Sequence, residues 1–222
     1  MNTEIEYQGR KARRAGSEQR RRAILEAALS IIVRDGIRNV RHRAVAREAD
    51  VPLSATTYYF KDISDLIADA FTLFAEKAMS EVIEPFRKQA FFLLDQMTNL
   101  PEGTDRDALI EQLAGMVSGF IISEVREKRD HLIAEQAFMQ EAVLDERLRP
   151  LAVAYNRAQQ DVLIKACEKL QTPNPSADAE ILQAMFLRYE YLLLLEPEEA
   201  DEASLRLRIL SAMRAVIGKG NG

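Results

Sequence analysis

Few side chains in this 222-residue chain could do chemistry on a substrate, and those few are badly spaced for it. The two histidines, His42 and His131, lack metal-ligand spacing. Three residues before them stand Asn39 and Lys128, where a helical carboxylate–histidine metal site would place glutamate. Cys167 is the single cysteine and has no CxxC partner; on a helix it reads as a small buried hydrophobe rather than a nucleophile. No Walker loop, no GxGxxG and no Gly-x-Ser-x-Gly occurs. The expectation is a protein without catalytic residues, metal ligands or cofactor. One cysteine cannot close an internal disulfide, which suits a reducing, cytoplasmic compartment.

The charged residues carry more information than the nucleophiles. Residues 1–61 hold 13 Lys and Arg against 7 Asp and Glu, a balance of +6, while the other 161 hold 17 against 28, a balance of −11. A basic N-terminal segment on an acidic body suits a polyanionic partner touched at one end. Charge alone fits a solvated basic tail equally well. Arg10, Lys11, Arg13 and Arg14 sit in what reads as a mobile arm over residues 1–16. They would enter a minor groove or simply raise affinity by releasing counterions.

The elements that must position these charges read as helices throughout. Ala, Leu, Glu and Arg are plentiful and Gly and Pro scarce, with no strand-like alternation bounded by hairpin turns. No run approaches 18 uninterrupted apolar residues, so no membrane span is expected. The start lacks the apolar block of a secretory signal. Ile24, Ala28, Ile31 and Ile32 mark a first helix from an N-cap at Ser17 to a stop at Gly36. Short helices fit 42–49 and 52–59, joined through Asp50-Val51-Pro52. Asp62 with Asp65 should cap a longer helix that Pro85 kinks or ends. After a loop over 100–105, helices fit 106–128, 130–143, 147–171, 177–195 and 201–217. The fold class is all-α with about nine helices. It divides into the arm, a helix-turn-helix domain over 17–61 and a helical body over 62–222.

Three helices within 17–60, with a four-residue turn between the second and third, match the helix-turn-helix arrangement, with Val45, Ala46, Val51 and Phe60 as its core. The stretch from Arg21 through Ile67 resembles the N-terminal domain of TetR-family transcriptional regulators. The resemblance rests on Ala27, Ala28 and Gly36, on Val45-Ala46-x-x-Ala49-x-Val51, and on Tyr58-Tyr59-Phe60-Lys61 followed by Leu66. It implies DNA contacts from Arg43, Leu53, Ser54, Ala55, Thr57, Tyr58, Tyr59 and Lys61. Arg43 suits bidentate contact to guanine, Tyr58 and Lys61 suit phosphate, and Leu53 and Ala55 suit thymine methyls. The sequence departs from the family pattern at Tyr59, where His is common, at Ile63, where Lys is common, and at Asp50, where Gly is usual.

The resemblance also implies an effector pocket and a dimer. Phe120, Phe138 and Tyr155 are the expected pocket lining, suited to a small, largely apolar ligand. Apolar stripes at Met185, Phe186, Tyr189, Leu192 and Leu193, and at Leu205, Ile209, Met213 and Val216, are expected to pair with a second copy. The implied protein is a homodimeric repressor released from a near-palindromic operator in double-stranded DNA by a small-molecule effector. Activation, action through a partner protein, or a helical carrier or enzyme with an incidental basic tail remain the alternatives.

Overall fold

A computed structural model describes residue 7 and residues 15–98, 106–199 and 201–217. The described residues form helices and turns only. In chain order these are α1 (Ala15–Asp35), α2 (His42–Glu48), α3 (Leu53–Tyr59), α4 (Ile63–Lys77), α5 (Glu84–Thr98), α6 (Arg106–Glu127), α7 (Arg129–Leu144), α8 (Arg149–Lys169), α9 (Pro175–Leu195) and α10 (Glu202–Ile217). A wide π turn at Ala78–Ile83 joins α4 to α5, so the helical backbone runs unbroken from 63 to 98. Counted as one element, this makes nine helices among the described residues. The basic arm residues Arg10, Lys11, Arg13 and Arg14 and the loop at 100–105 lie outside them.

Pro85 therefore neither ends the helix nor stands at its last residue. Proline has no N–H to give the carbonyl four residues back, and its ring crowds that oxygen. Here the turn before Pro85 is widened, and the Lys128 ammonium donates to the Glu81 carbonyl at 3.4 Å.

The chain forms two compact units, Met1–Met79 with Ile133–Asn156, and Ser80–Leu132 with Arg157–Gly222. The helix-turn-helix segment falls wholly in the first, together with α4 and the α7–α8 turn. Its core is built on Ile24, Leu25, Ala28, Ile31 and Ile32 of α1, closed by Val45, Phe60, Leu66 and Phe71. An aromatic cluster completes it: Phe71 stacks on Phe138 at 4.7 Å between ring centroids, and Phe74 and Tyr155 pack within 6.2 Å.

An ion pair is buried in this unit. The Arg21 guanidinium on α1 donates to the Asp69 carboxylate on α4 at 2.5 Å, and the two side chains are 4% and 0% exposed. The ring of Tyr7 lies 4.3 Å from the guanidinium carbon, and the Tyr7 hydroxyl donates to Glu76 at 2.6 Å. Burial and this bond push the Tyr7 phenol well above its ordinary range.

α4 begins as the sequence indicates. The Asp62 carboxylate accepts from the Asp65 backbone N–H at 2.8 Å, capping the helix. The expected cap of α1 at Ser17 does not form, because the helix already starts at Ala15. Ser17 instead shares a hydrogen bond of 2.8 Å with the Tyr59 hydroxyl.

In the second unit α6 is the central helix, packed against α5, α9 and α10. Its stretch Asp107–Glu127 is long and apolar enough to cross a membrane, although no run of 18 residues is free of polar groups. Half of that stretch is buried against the protein itself. Gly115 and Gly119 face α10, where a Cβ would make ordinary contact, 3.5 Å from the Arg206 guanidinium and 3.7 Å from Glu202.

Three outcomes are expected in urea unfolding. Asp69→Ala leaves the buried Arg21 cation only the more exposed Glu18 carboxylate at 3.4 Å and costs about 3–5 kcal/mol. The double variant Arg21→Met, Asp69→Leu recovers most of that loss. Asp62→Ala costs about 0.5–2 kcal/mol as a lost cap. The Asp65 backbone N–H, followed by the Arg147 guanidinium, holds the Asp62 carboxyl below the usual range. The cap's contribution is therefore complete above the ordinary carboxylate pKa and is lost as pH falls through the depressed one. Stability measured against pH should show that acid loss in the parent and a shallower one in Asp62→Ala.

Candidate nucleic-acid interface

The turn between α2 and α3 sets the aim of the reader. Asp50 adopts φ +50°, the left-handed region in which Asp, like Asn, is tolerated. The Val51 N–H then reaches the Ala46 carbonyl at 3.0 Å, and the Asp50 N–H reaches Arg47 at 3.4 Å. This pair of bonds is the Schellman closure that usually calls for glycine. Pro52 follows in extended backbone and opens α3.

The seven residues of α3 divide cleanly by face. Thr56, Tyr59 and the following Phe60 turn inward at 0, 5 and 0% exposure. Leu53, Ser54, Thr57, Tyr58 and Lys61 turn outward, one continuous stripe at helical spacing, with Tyr58 55% exposed. Ala55 is half-buried between the two faces. Tyr59, which the resemblance places among the DNA contacts, is thus a scaffold residue here, with its ring in the core and its hydroxyl on Ser17. The Thr56 hydroxyl is likewise turned back onto the Leu53 carbonyl at 2.8 Å.

Arg43 is exposed near the start of α2, and Arg47 lies one turn further along the same helix. Arg38 and Arg41, just before it, are exposed as well. Among the described residues none of Arg38, Arg41, Arg43, Arg47 and Lys61 is in an ion pair, whereas Arg34 is held by Glu48 and Asp35 at 3.1 and 3.0 Å. Hydrogen bonds from that guanidinium pull the Glu48 carboxyl below its usual range. The acidic groups around the reader are therefore partly neutralised while its cations stay available. Arg38, Arg41 and Arg47 were legible only as local arginine density.

The residues expected to line a ligand pocket do not gather in one place. Phe138 and Tyr155 sit in the aromatic cluster of the first unit at 0 and 1% exposure, so no water-sized space touches Phe138. They fill a core there. Phe120 belongs to the second unit, half-buried and stacked on Phe86 at 4.1 Å.

The expected dimer residues also divide. Met185, Phe186, Tyr189 and Leu192 on α9 are half-buried, with Leu193 at 9%. Leu205, Ile209, Met213 and Val216 on α10 are 0–6% exposed within the chain, where α10 packs on α6. That stripe already has a neighbour and offers no face to a second copy. Tyr189, Leu192, Leu193, Leu205 and Arg208 instead line a cleft between α9 and α10.

No family model matches the chain, and no curated protein sequence matches it. Solved structures do. A TetR-family member from Streptomyces coelicolor A3 superposes with a TM-score of 0.64 at 23% identity, over 87% of this chain and 98% of its own. A transcriptional regulator from Rhodococcus sp. Rha1 gives 0.67 at 14% identity, over 91% and 98%. The multidrug binding protein EbrR, complexed with ethidium, gives 0.62 at 24% identity, over 87% and 98%. Structural neighbours across most of the chain are TetR-family transcriptional regulators, and the chain carries their fold.

Proposed function

We propose that this chain is a ligand-responsive TetR-family transcriptional regulator: a homodimeric, cytoplasmic, non-enzymatic repressor of a near-palindromic operator. The observation that supports it most is the outward stripe of α3, flanked by cations that have no ion-pair partner among the described residues. Arg43 is the proposed base reader. Ser54 and Thr57 offer hydroxyls, and Leu53 and Ala55 offer apolar contact to thymine methyls. Tyr58, Lys61, Arg38, Arg41 and Arg47 position the domain on phosphates. With so little hydrogen-bonding capacity on α3, duplex shape shares the specificity.

Dimerisation is proposed through α9, whose half-buried Met185, Phe186, Tyr189 and Leu192 are joined by exposed Tyr191 and Leu195. Two readers related by a two-fold axis would then meet half-sites about 34–36 Å apart. The likeness to EbrR, a multidrug binding protein with ethidium and proflavin complexes, supports a small-molecule effector. Such a ligand would act only through its different affinity for operator-competent and incompetent states.

Selection of bound sites from random DNA tests the reading. Enrichment of a two-fold site with that half-site spacing is expected; no enriched motif, or a single isolated half-site, overturns it. On the recovered site, Arg43→Ala should cost about 1–3 kcal/mol and relax one base position. Lys61→Ala should weaken binding evenly across sequences and reduce the slope of log affinity against log salt by roughly one. Sedimentation should give a dimer that Tyr189→Glu with Leu192→Glu dissociates.

A further inference from the structure

The cleft between α9 and α10 has a volume of about 180 Å³ and is charged at both ends. From the α10 side Asp201, Ser204, Leu205 and Arg208 line it, at the spacing of three, four and seven that keeps side chains on one face of a helix. From the α9 side Leu192, Leu193 and Glu196 face them. Leu193 and Leu205 are 9 and 5% exposed, so the floor of the cleft is dry and aliphatic.

The charges are sorted by position. Glu196 follows the last residue of α9 and Asp201 precedes the first of α10, so both carboxylates share the end of the cleft nearest the turn. Arg208 stands seven residues along α10 from Asp201, about 10 Å away at 1.5 Å per residue. Helix neighbours that pair directly lie three or four apart, so this spacing holds the cation away from the acids. Among the described residues neither Arg208 nor Glu196 takes part in an ion pair. The Asp201 carboxylate accepts from the Ser204 backbone N–H at 2.9 Å, which leaves its charge uncompensated. Opposite charges at the two ends of one cleft, with leucines between them, ask for a ligand of the same pattern reversed.

We infer that the cleft binds a linear ω-amino carboxylate, with its ammonium on Glu196 and Asp201, its carboxylate on the Arg208 guanidinium and its methylene chain over Leu192, Leu193 and Leu205. The planar guanidinium fork matches a carboxylate, and the covered methylenes contribute the apolar part of the affinity. A cavity of roughly 150 Å³ takes a six-carbon ring, so this cleft suits a chain of about that carbon count. An α-amino acid carries both charges on one carbon and cannot reach the two ends. A fatty acid leaves the acidic end unpaired, and an alkylamine leaves Arg208 unpaired. All the lining residues fall within the second unit, so the inference goes beyond the operator reading and does not rest on it. Tyr189 and Leu192 also belong to the face proposed for a second copy, whereas Leu193, Glu196 and the α10 side do not.

The test uses the full chain at low salt with four probes: 6-aminohexanoate, hexanoate, hexylamine and glycine. Calorimetric titration should show 6-aminohexanoate binding about two- to fivefold more tightly than hexanoate or hexylamine, each of which lacks one charged end. Glycine should show no binding, and added salt should weaken 6-aminohexanoate. Arg208→Gln should weaken 6-aminohexanoate and hexanoate about two- to fivefold and leave hexylamine unchanged. Glu196→Gln should do the reverse, weakening 6-aminohexanoate and hexylamine and sparing hexanoate. Both side chains are exposed, so both variants are expected to keep the fold, which thermal unfolding reports. If a variant unfolds, the four probes on the parent decide alone. Three results overturn the assignment: no binding of 6-aminohexanoate, as when a second copy fills the cleft; equal affinity for it and the two single-ended probes; or unchanged affinity in a folded Arg208→Gln. Operator selection is measured separately, so a recovered two-fold site without 6-aminohexanoate binding sinks this inference alone.

Discussion

The dry ion pair between Arg21 and Asp69 is the constraint on which the first unit depends. Taking both charges out of water costs several kcal/mol each, and their attraction offsets that only in tight geometry. The geometry is tight, at 2.5 Å, and the guanidinium is further covered by Tyr7 at 4.3 Å and Phe60 at 5.7 Å. Sliding α1 along α4 would break the bond without letting water in to replace it. The pair therefore sets one register between the helix that braces the reader and the helix that follows it. Phe60, the first residue after α3, is ordered against the same guanidinium, so the recognition helix inherits that register.

A second joint lies at the junction itself. Asp62 caps α4, and the Arg147 guanidinium in the α7–α8 turn donates to both Asp62 oxygens at 3.2 Å, with Asp65 at 3.8 Å. These groups are substantially exposed, and such pairs are worth little to stability. Their effect is positional. They attach the start of α4 to a segment that comes from 85 residues away in sequence, immediately beside Lys61 of the reader. The buried pair fixes how α1 and α4 slide; the exposed pair fixes where α4 begins.

Features set by local chemistry were legible in the chain. Asp62 with Asp65 announced a cap, Gly36 a helix end, and Asp50-Val51-Pro52 a left-handed turn, because each needs only its own neighbours to act. The helix boundaries after residue 106 fall within about three residues of the periodicity, for the same reason. Features that need a distant partner were not legible. Nothing near Tyr59 says that its hydroxyl will meet Ser17, so the family resemblance alone placed it among the DNA contacts. Arg21 looked like one more basic residue until Asp69 arrived from α4. Pro85 announced a disturbance correctly but not its form, since whether a helix stops or widens depends on what satisfies the Glu81 carbonyl. The donor that does so, Lys128, is 47 residues away.

The α10 stripe shows the limit most sharply. An apolar stripe on a helix says that one face must be covered, not by what. Leu205, Ile209, Met213 and Val216 demand a neighbour, and a second copy satisfies that demand on paper as well as α6 does. The packing decides the matter: α10 lies along α6, with Arg206 beside Gly115 and Glu202 beside Gly119. Arg206 then donates to the Glu111 carbonyl, and Arg214 bonds to Glu111 and Asp107, so polar contacts line the same seam that the stripe fills. With α10 covered from within, the half-exposed apolar residues of α9 are what is left for a symmetric partner. The packing of α10 on α6 thereby leaves the proposed interface to α9, a consequence that no pattern within α9 or α10 contains.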